Sequence, residues 1–438
     1  MLVFLSDVHL TDGSSGTTIE PRAFHKFCRI LENVVGNPQE TRIEEIEIVL
    51  LGDIFDVIRS NVWLRPENSD PVNPIRPWSS VTDTDGKGWK LQNYTEEIVD
   101  RITRQPGNIE IMRYLRDFQD SCAGLGVKVT LSYLIGNHDW LINRFASTRQ
   151  RIATFLGISN PSGHRLYARN RFPYDRVFEE YGVMARHGDY YDELNTGYEG
   201  NRDASSLGDA IVIDLLNRFP EAVKNDPLLG PHGDLIKQLR EIDNVRPLLD
   251  IPAWIQGVCN YNHGVEERVH YLWNDVADKF FKLKFVKDHD RFGPDMVDLL
   301  QMAMRLSSGF SFSRLQEILG NWAVRHLYRK SDDYRRFAYN EAPLKNNAVR
   351  YVVYGHTHRA EQIPLDMVDL RQRGNGMIDK IYFNTGTWRK VFEHTVFDQG
   401  NCEFIGWHVL TFVVFYLGKE KEKERNYEVW SASLGYGR

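Results

Sequence analysis

The chain has 438 residues, 42% of them hydrophobic and 26% charged. This is the balance of a soluble globular protein with a sizeable core, and it excludes a disordered chain or a small disulfide scaffold. Lys and Arg number 54 against 60 Asp and Glu, a net charge of −6. Bulk electrostatics therefore do not make it a general nucleic-acid or membrane-surface binder, although a local basic groove stays open.

In chain order, short apolar runs each end in a polar cluster. Residues 2–5 run into Ser6-Asp7-Val8-His9, 46–51 into Gly52-Asp53-Ile54-Phe55-Asp56, and 127–135 into Gly136-Asn137-His138-Asp139. Residues 182–185 run into Arg186-His187-Gly188-Asp189, 349–354 into Gly355-His356-Thr357-His358, and 381–383 into Asn384-Thr-Gly-Thr-Trp388. Their β-branched and aromatic content predicts strands. Apolar residues at helical spacing predict helices over 24–35 and 108–123. Strand and helix alternate, so the expected class is α/β, with ligands gathered at the carboxyl ends of strands.

Two stretches interrupt this pattern. Residues 59–95 hold four prolines and Trp63, Trp78 and Trp89. They read as a long loop whose tryptophans either stack on a substrate base or sugar or anchor the loop to its own domain. Residues 194–344 read as helices, with Ser206 capping one through 219 and others over 233–242, 265–284 and 311–328. This insertion is either a cap over a site or structural thickening. The run 419–425 reads as a solvated turn, and the apolar stretch 407–417 is too short to span a membrane and reads as a buried strand. Cys28, Cys122, Cys259 and Cys402 form no C-x-x-C motif, so reduced, buried thiols are expected. No signal-type segment precedes the first strand, and a cytoplasmic location is expected.

The strand-end clusters collect ligand-type side chains: Asp7, His9, Asp53, Asn137, His187, His356 and His358. Carboxylate, imidazole and amide oxygen together suit Mn, Fe, Zn or Co. Asp7 and His9, and again His356 and His358, are two residues apart, which on an extended backbone puts each pair on one side. Other histidines, such as His25, His232 and His270, read as surface or structural.

The series D-x-H, G-D-x-x-D, G-N-H-D, H-G-D and G-H-T-H resembles the calcineurin-like metallophosphoesterase superfamily over residues 1–59, 105–195 and 346 to near the C-terminus. The resemblance implies a four-layer α/β/β/α sandwich. The core would be 1–194 and 345–438, carrying the loop insertion at about 59–95 and a helical cap at 195–344. It also implies two divalent metals, manganese first, with iron, zinc or cobalt as alternatives. Asp7, His9, Asp53 and His358 would hold one. Asp53, Asn137, His187 and His356 would hold the other.

His138 would face the scissile phosphate off the metals, with Asp56 and Asp139 orienting it or the ligands. The implied reaction is hydrolysis of a phosphodiester or pyrophosphate by hydroxide activated between two metals. The substrate would be a phosphorylated small molecule or nucleotide. The H-G-D form, G-H-T-H-R and N-T-G-T-W are similar to the subgroup containing UDP-diacylglucosamine pyrophosphohydrolases. The chain departs from it in carrying His138 where that subgroup has arginine, and in a longer insertion. A phosphomonoesterase, a DNA-end nuclease of the same superfamily and a metal-stabilised interaction module are the alternatives. Arg359 and Arg389 follow the metal motifs and would grip substrate phosphate or form surface ion pairs. Asp192 and Asn195 would line the cap entrance.

Overall fold

The computed structural model describes residues 1–36, 43–65, 74–79, 87–158, 170–197, 200–262, 264–289, 296–305, 330–369, 377–395, 404–418, 420 and 426–433. In chain order the strands are β1 (Leu2–Leu5), β2 (Glu45–Leu51), β3 (Lys128–Leu134), β4 (Asp175–Phe178), β5 (Val183–Arg186) and β6 (Tyr351–Tyr354). They continue as β7 (Ala360–Asp369), β8 (Met377–Thr385), β9 (Val391–His394), β10 (Phe404–Trp407), β11 (Val409–Phe415) and β12 (Tyr427–Ser433). The protein is mixed α/β. One five-stranded sheet has the order β12-β11-β1-β2-β3, another the order β4-β5-β6-β8-β7, and β9 pairs with β10. β1, β2 and β3 run parallel, as do β5, β6 and β8.

Period-two alternation explains the packing. Leu2 and Phe4 of β1 and Val49 and Leu51 of β2 join Val183, Ala185, Tyr351, Val353 and Phe383 of the second sheet in one buried cluster. Val3, Leu5, Ile48 and Leu50 point the other way, against the helices that follow these strands. Those helices are α1 (Pro21–Val35), α2 (Lys87–Arg104) and α3 (Pro106–Gly124). Pro21 opens α1, and Ala23, Phe24, Phe27, Cys28 and Leu31 form its buried stripe. α4 (Ala146–Leu156) adds Ile152 and Leu156 to the same cluster. β1 and β2, covered on both faces, read as near-continuous apolar runs for that reason.

The 59–95 stretch is not a loop throughout. It holds a 3-10 turn (Asn61–Leu64), and α2 begins at Lys87. The buried stripe of α2 contains Thr95, whose hydroxyl donates to the Leu91 carbonyl at 2.9 Å, so a core-facing position reads as polar. Trp63 is fully buried and its indole donates to the Val57 carbonyl at 3.0 Å. Trp78 stacks on Phe285 with ring centroids 4.4 Å apart. The Trp89 side chain, Cys402 and the helix expected over 311–328 lie outside the described residues, as does all but Glu420 of the run 419–425.

In the insertion, α5 (Leu207–Ala210) begins with a reciprocal capping box between Ser206 and Asp209. It passes into a π turn (Ile211–Asn217) and then α6 (Arg218–Asn225). The helix runs past the expected stop at 219. The π turn resets the hydrogen-bond ladder just before Pro220, whose ring falls in the first turn of α6. α7 (Gly233–Leu239), α8 (Ile251–Tyr261), α9 (Glu266–Phe280), α10 (Lys284–His289) and α11 (Met296–Arg305) follow. α12 (Lys330–Asn340) sets Tyr334 and Ala338 against Met184, Val352, Tyr354 and Tyr382 of the second sheet. Among the described residues no helix is long and apolar enough to cross a membrane. Cys28, Cys122 and Cys259 are free and buried, and burial pushes the Cys28 and Cys259 thiols up to about 12.

Candidate metal centre

The loops after β1, β2, β3, β5 and β6 meet where the two sheets face each other. The first two are zipped together: Asp7 N–H donates to the Gly52 carbonyl (3.1 Å), His9 N–H to Asp53 (2.9 Å) and Leu10 N–H to Ile54 (2.8 Å). Gly355 N–H bonds to the His187 carbonyl at 2.9 Å, tying β6 to β5. The backbone is not extended at the paired motifs. Asp7, His9, Asp53, His356 and His358 all have positive φ, between 51° and 69°, and Asn347 is the one other described non-glycine residue that does. Such conformations cost about 1–3 kcal/mol each and persist where the surroundings enforce them. Here they curl the loops so that these side chains converge. Two glycines permit the approach: a Cβ on Gly136 would collide with the Asp53 carboxylate, and one on Gly355 with Ser6 and Asp7.

Three overlapping groups of ligand-type atoms result: Asp7, His9 and His358; His9, Asp53 and His138; and Asp53, His187 and His356. Asp7 Oδ1 lies 3.3 Å from His358 Nε2 and 3.9 Å from both His9 Nε2 and His187 Nε2. Asp53 Oδ2 lies 3.2 Å from His187 Nε2 and 3.9 Å from His9 Nε2. Each ring is held from its far side. His9 Nδ1 is 3.0 Å from Asp56 Oδ2, and His187 Nδ1 is 3.0 Å from the Leu51 carbonyl. Both therefore present Nε2 to the centre, the arrangement of a ligating histidine. Asp7 Oδ2 is occupied by the Ser6 hydroxyl and by His356 N–H at 3.0 Å. Its Oδ1 is left over. Asp7 Oδ1, Asn137 Oδ1 and His187 Nε2 are buried without a hydrogen-bond partner among the described residues. Buried polar atoms are rarely orphaned. Three of them here, all of ligand type and two only 3.9 Å apart, fit a set of donors for metal ions.

The electrostatics agree. Burial opposes ionisation of Asp7, yet His187 and His358 hold its carboxyl down to about 2. Burial likewise opposes ionisation of Asp53 and Asp56, and the surrounding histidines hold both well below the usual range. In turn Asp53 and Asp7 raise His187 well above its ordinary value against burial, so carboxylates and imidazolium rings balance one another's charge at the centre. Burial, then Arg246, pushes His358 down to about 3.

Asp56 touches two rings at once, its second oxygen meeting His138 Nδ1 at 2.9 Å. His138 N–H also donates to Asp53 Oδ1 at 2.8 Å. Burial disfavours the charged imidazolium, but the Asp56 and Asp53 carboxylates raise it to about 10. Asp139 acts on backbone rather than on a ring: it accepts from Ile54 N–H (3.1 Å), Gly136 N–H (2.6 Å) and the Tyr133 hydroxyl (2.5 Å). It thereby locks the Asp53 and Asn137 turns together, and burial with the Asp53 charge pushes its carboxyl up to about 7.

A cavity of about 310 Å³ opens over Asp53, Asn137, His138, His356 and His358. Asp192 and Asn195 line it. Asp192 Oδ2 lies 3.2 Å from His356 Nε2, and Asn195 Oδ1 accepts from Asn137 Nδ2 at 3.2 Å. Arg359 lines the mouth, 54% exposed, 3.3 Å from Glu393. Arg389 belongs to neither of its expected settings. It is buried, outside the cavity lining, and donates to Asp243 Oδ2 at 2.8 Å with Asp56 Oδ2 at 3.8 Å.

Sequence reasoning missed the residues that the insertion contributes. Arg246 Nη2 meets His358 Nδ1 at 3.0 Å and lines the cavity. Asp243 is held ionised against burial by Arg389 and Arg59. Tyr334 lines the cavity with its hydroxyl buried and unpartnered among the described residues. None stands in a motif, so the sequence carries no local signal for them. Ser6 was readable, standing directly before Asp7.

Fold and site together define an α/β protein with buried His/Asp groups that could hold metal ions. Compared with known family models, curated proteins and solved structures, the chain matches none.

Proposed function

We propose that the protein is a metal-dependent phosphoesterase of the calcineurin-like kind, with a four-layer α/β/β/α core and a helical cap, that hydrolyses a phosphodiester or pyrophosphate bond. The observation that carries this reading is the approach of Asp7 Oδ1 and His187 Nε2 to 3.9 Å, both buried and without a hydrogen-bond partner among the described residues, beside a histidine that is not needed as a ligand. Asp7, His9, Asp53 and His358 would hold one divalent metal, manganese first among the candidates. Asp53, Asn137, His187 and His356 would hold the second. A bound pair supplies Lewis-acid polarisation of the phosphoryl group and makes water acidic enough to ionise near pH 7.

The chain's own residues do the rest. Asp56 divides its oxygens between His9 and His138, so neither ring can turn. With Nδ1 occupied, His138 has Nε2 left for the cavity, where it donates a proton to the leaving oxygen as that P–O bond breaks and the bond to water oxygen forms. Its positive charge, and that of Arg246, stabilise the charge developing on the phosphoryl oxygens. Arg246 has the planar fork that grips such oxygens in pairs. A cytoplasmic location belongs to the same reading, since the described cysteines are free thiols.

The test is a metal-reconstituted screen over bis-p-nitrophenyl phosphate, p-nitrophenyl phosphate, cyclic nucleotides, nucleotide-sugar pyrophosphates and DNA. Diester or pyrophosphate hydrolysis is expected. A monoester-only profile would refute the diesterase assignment, and no turnover with Mn, Fe, Zn or Co would refute the phosphoesterase reading itself.

A further inference from the structure

Arg389 is buried behind the centre and outside the cavity lining, so it does not reach a substrate. Its guanidinium lies between two buried carboxylates from different parts of the chain. Nη1 donates to Asp243 Oδ2 at 2.8 Å, in the 3-10 turn Ile242–Asn244 of the insertion, and lies 3.8 Å from Asp56 Oδ2 in the loop after β2. We propose that Arg389 is a positioning residue for the reaction: it steadies the Asp56 carboxylate, and through it the rings of His138 and His9. This rests on the phosphoesterase reading and extends it to how the proton donor is held.

The partners of Asp56 show what Arg389 adds. Oδ1 meets His138 Nδ1 at 2.9 Å and accepts from Arg59 N–H at 3.1 Å. Oδ2 meets His9 Nδ1 at 3.0 Å and faces Arg389. Each oxygen thus has one histidine ring and one second group that is not a histidine. Without Arg389, Oδ2 keeps only His9 among the described residues, and the carboxylate is free to turn. The His138 ring would turn with it, since its other ring contact is the edge of His9, with centroids 4.8 Å apart.

Two other buried arginines show what a fastening role looks like. Arg59 donates to the Ser15 and Arg240 carbonyls, each at 3.0 Å. Arg76 donates to the carbonyls of Trp63 at 2.7 Å and Ile75 at 2.9 Å, besides its pair with Asp214. The Arg389 side chain bonds no carbonyl among the described residues, and its Nε and Nη2 have no hydrogen-bond partner there. What it offers is charge, set between two carboxylates. Its backbone is held by the site's own loop: Arg389 N–H donates to the Thr387 hydroxyl at 3.1 Å, which donates to the Asp7 carbonyl at 2.8 Å.

The experiment uses the full chain at saturating Mn²⁺, with methyl p-nitrophenyl phosphate and methyl phenyl phosphate as substrates. Proton donation matters most where the leaving oxygen is more basic, as in the phenyl ester. Arg389→Gln should lower kcat on the phenyl ester about 10–100-fold and on the p-nitrophenyl ester clearly less. KM should stay within about twofold. Arg389→Lys, which keeps the charge, should recover part of the loss. Added to Asp56→Asn, Arg389→Gln should cost less than about twofold further, because it acts through Asp56. NMR of the hydrogen-bonded imidazole N–H protons of His9 and His138 reads the positioning without turnover, and Arg389→Gln should shift both. Where Arg389→Gln alone does not fold, Arg389→Gln with Asp243→Asn removes both buried charges together and carries the same expectations. Equal losses on the two esters, additive losses with Asp56→Asn, or unshifted N–H protons would each overturn the positioning role and leave the phosphoesterase reading intact. No hydrolysis by any form, with shifted N–H protons, would overturn the phosphoesterase reading and retain the hold of Arg389 on Asp56.

Discussion

The loops at the strand ends and the helical insertion build the two sides of one cavity by different physics. The loops work at short range. Asp7, His9, Asp53, His356 and His358 each take a left-handed backbone, and glycines at Gly136 and Gly355 let neighbouring carboxylates approach. The insertion works at long range. Its contributions, Arg246, Asp243, Tyr334 and the aliphatic side chains of its π turn, gain their positions from buried ion pairs and packing with the core. One region concentrates strain and charge, and the other supplies shape and apolar surface. Changes in the first should remove metal or turnover, and changes in the second should appear as stability or selectivity.

The sharpest break of that contrast is Asp53→Ala. Asp53 faces both candidate ligand groups, so calorimetry should show metal binding lost and hydrolysis reduced on the order of 10³-fold or more. Full metal occupancy in this variant would remove the bridging role. His138→Ala should keep its metal, measured by elemental analysis, while kcat falls about 10²–10⁴-fold; undiminished turnover would end its assignment as proton donor. In the insertion, Asp214→Ala leaves Arg76 buried and uncompensated and should cost about 3–5 kcal/mol in urea unfolding. A loss below about 1 kcal/mol would mean the π turn is not fastened through this pair.

Asp56→Asn keeps the shape but weakens the hold on His9 and His138, so activity and metal affinity should fall about 10–100-fold. Loss of one without the other would show that only one ring depends on it. Arg359→Ala breaks an exposed pair with Glu393 and should change stability by less than about 1 kcal/mol. A large rise in KM from this change would move Arg359 from the rim into substrate binding.

The sequence by itself determined the strands of the core and the side chains that gather at their ends. Alternation in a run such as Leu2–Leu5, and the turn chemistry of Gly52-Asp53, act over a few residues, so they are written locally. Even there the mechanism differed from the reading: Asp7 and His9 share a side through left-handed turns, because the loops must fold back beneath each other to satisfy their backbone groups. α2 escaped because Thr95 satisfies its own hydroxyl inside the helix and so interrupts the apolar stripe. Only the tertiary structure decided that Arg389 is a buried partner of Asp243 and that Arg246, 112 positions from His358, reaches that ring. It also decided that a π turn lays Ile211, Val212 and Leu216 over the centre. Contacts across such separations depend on how whole elements pack, and no spacing within a motif encodes them.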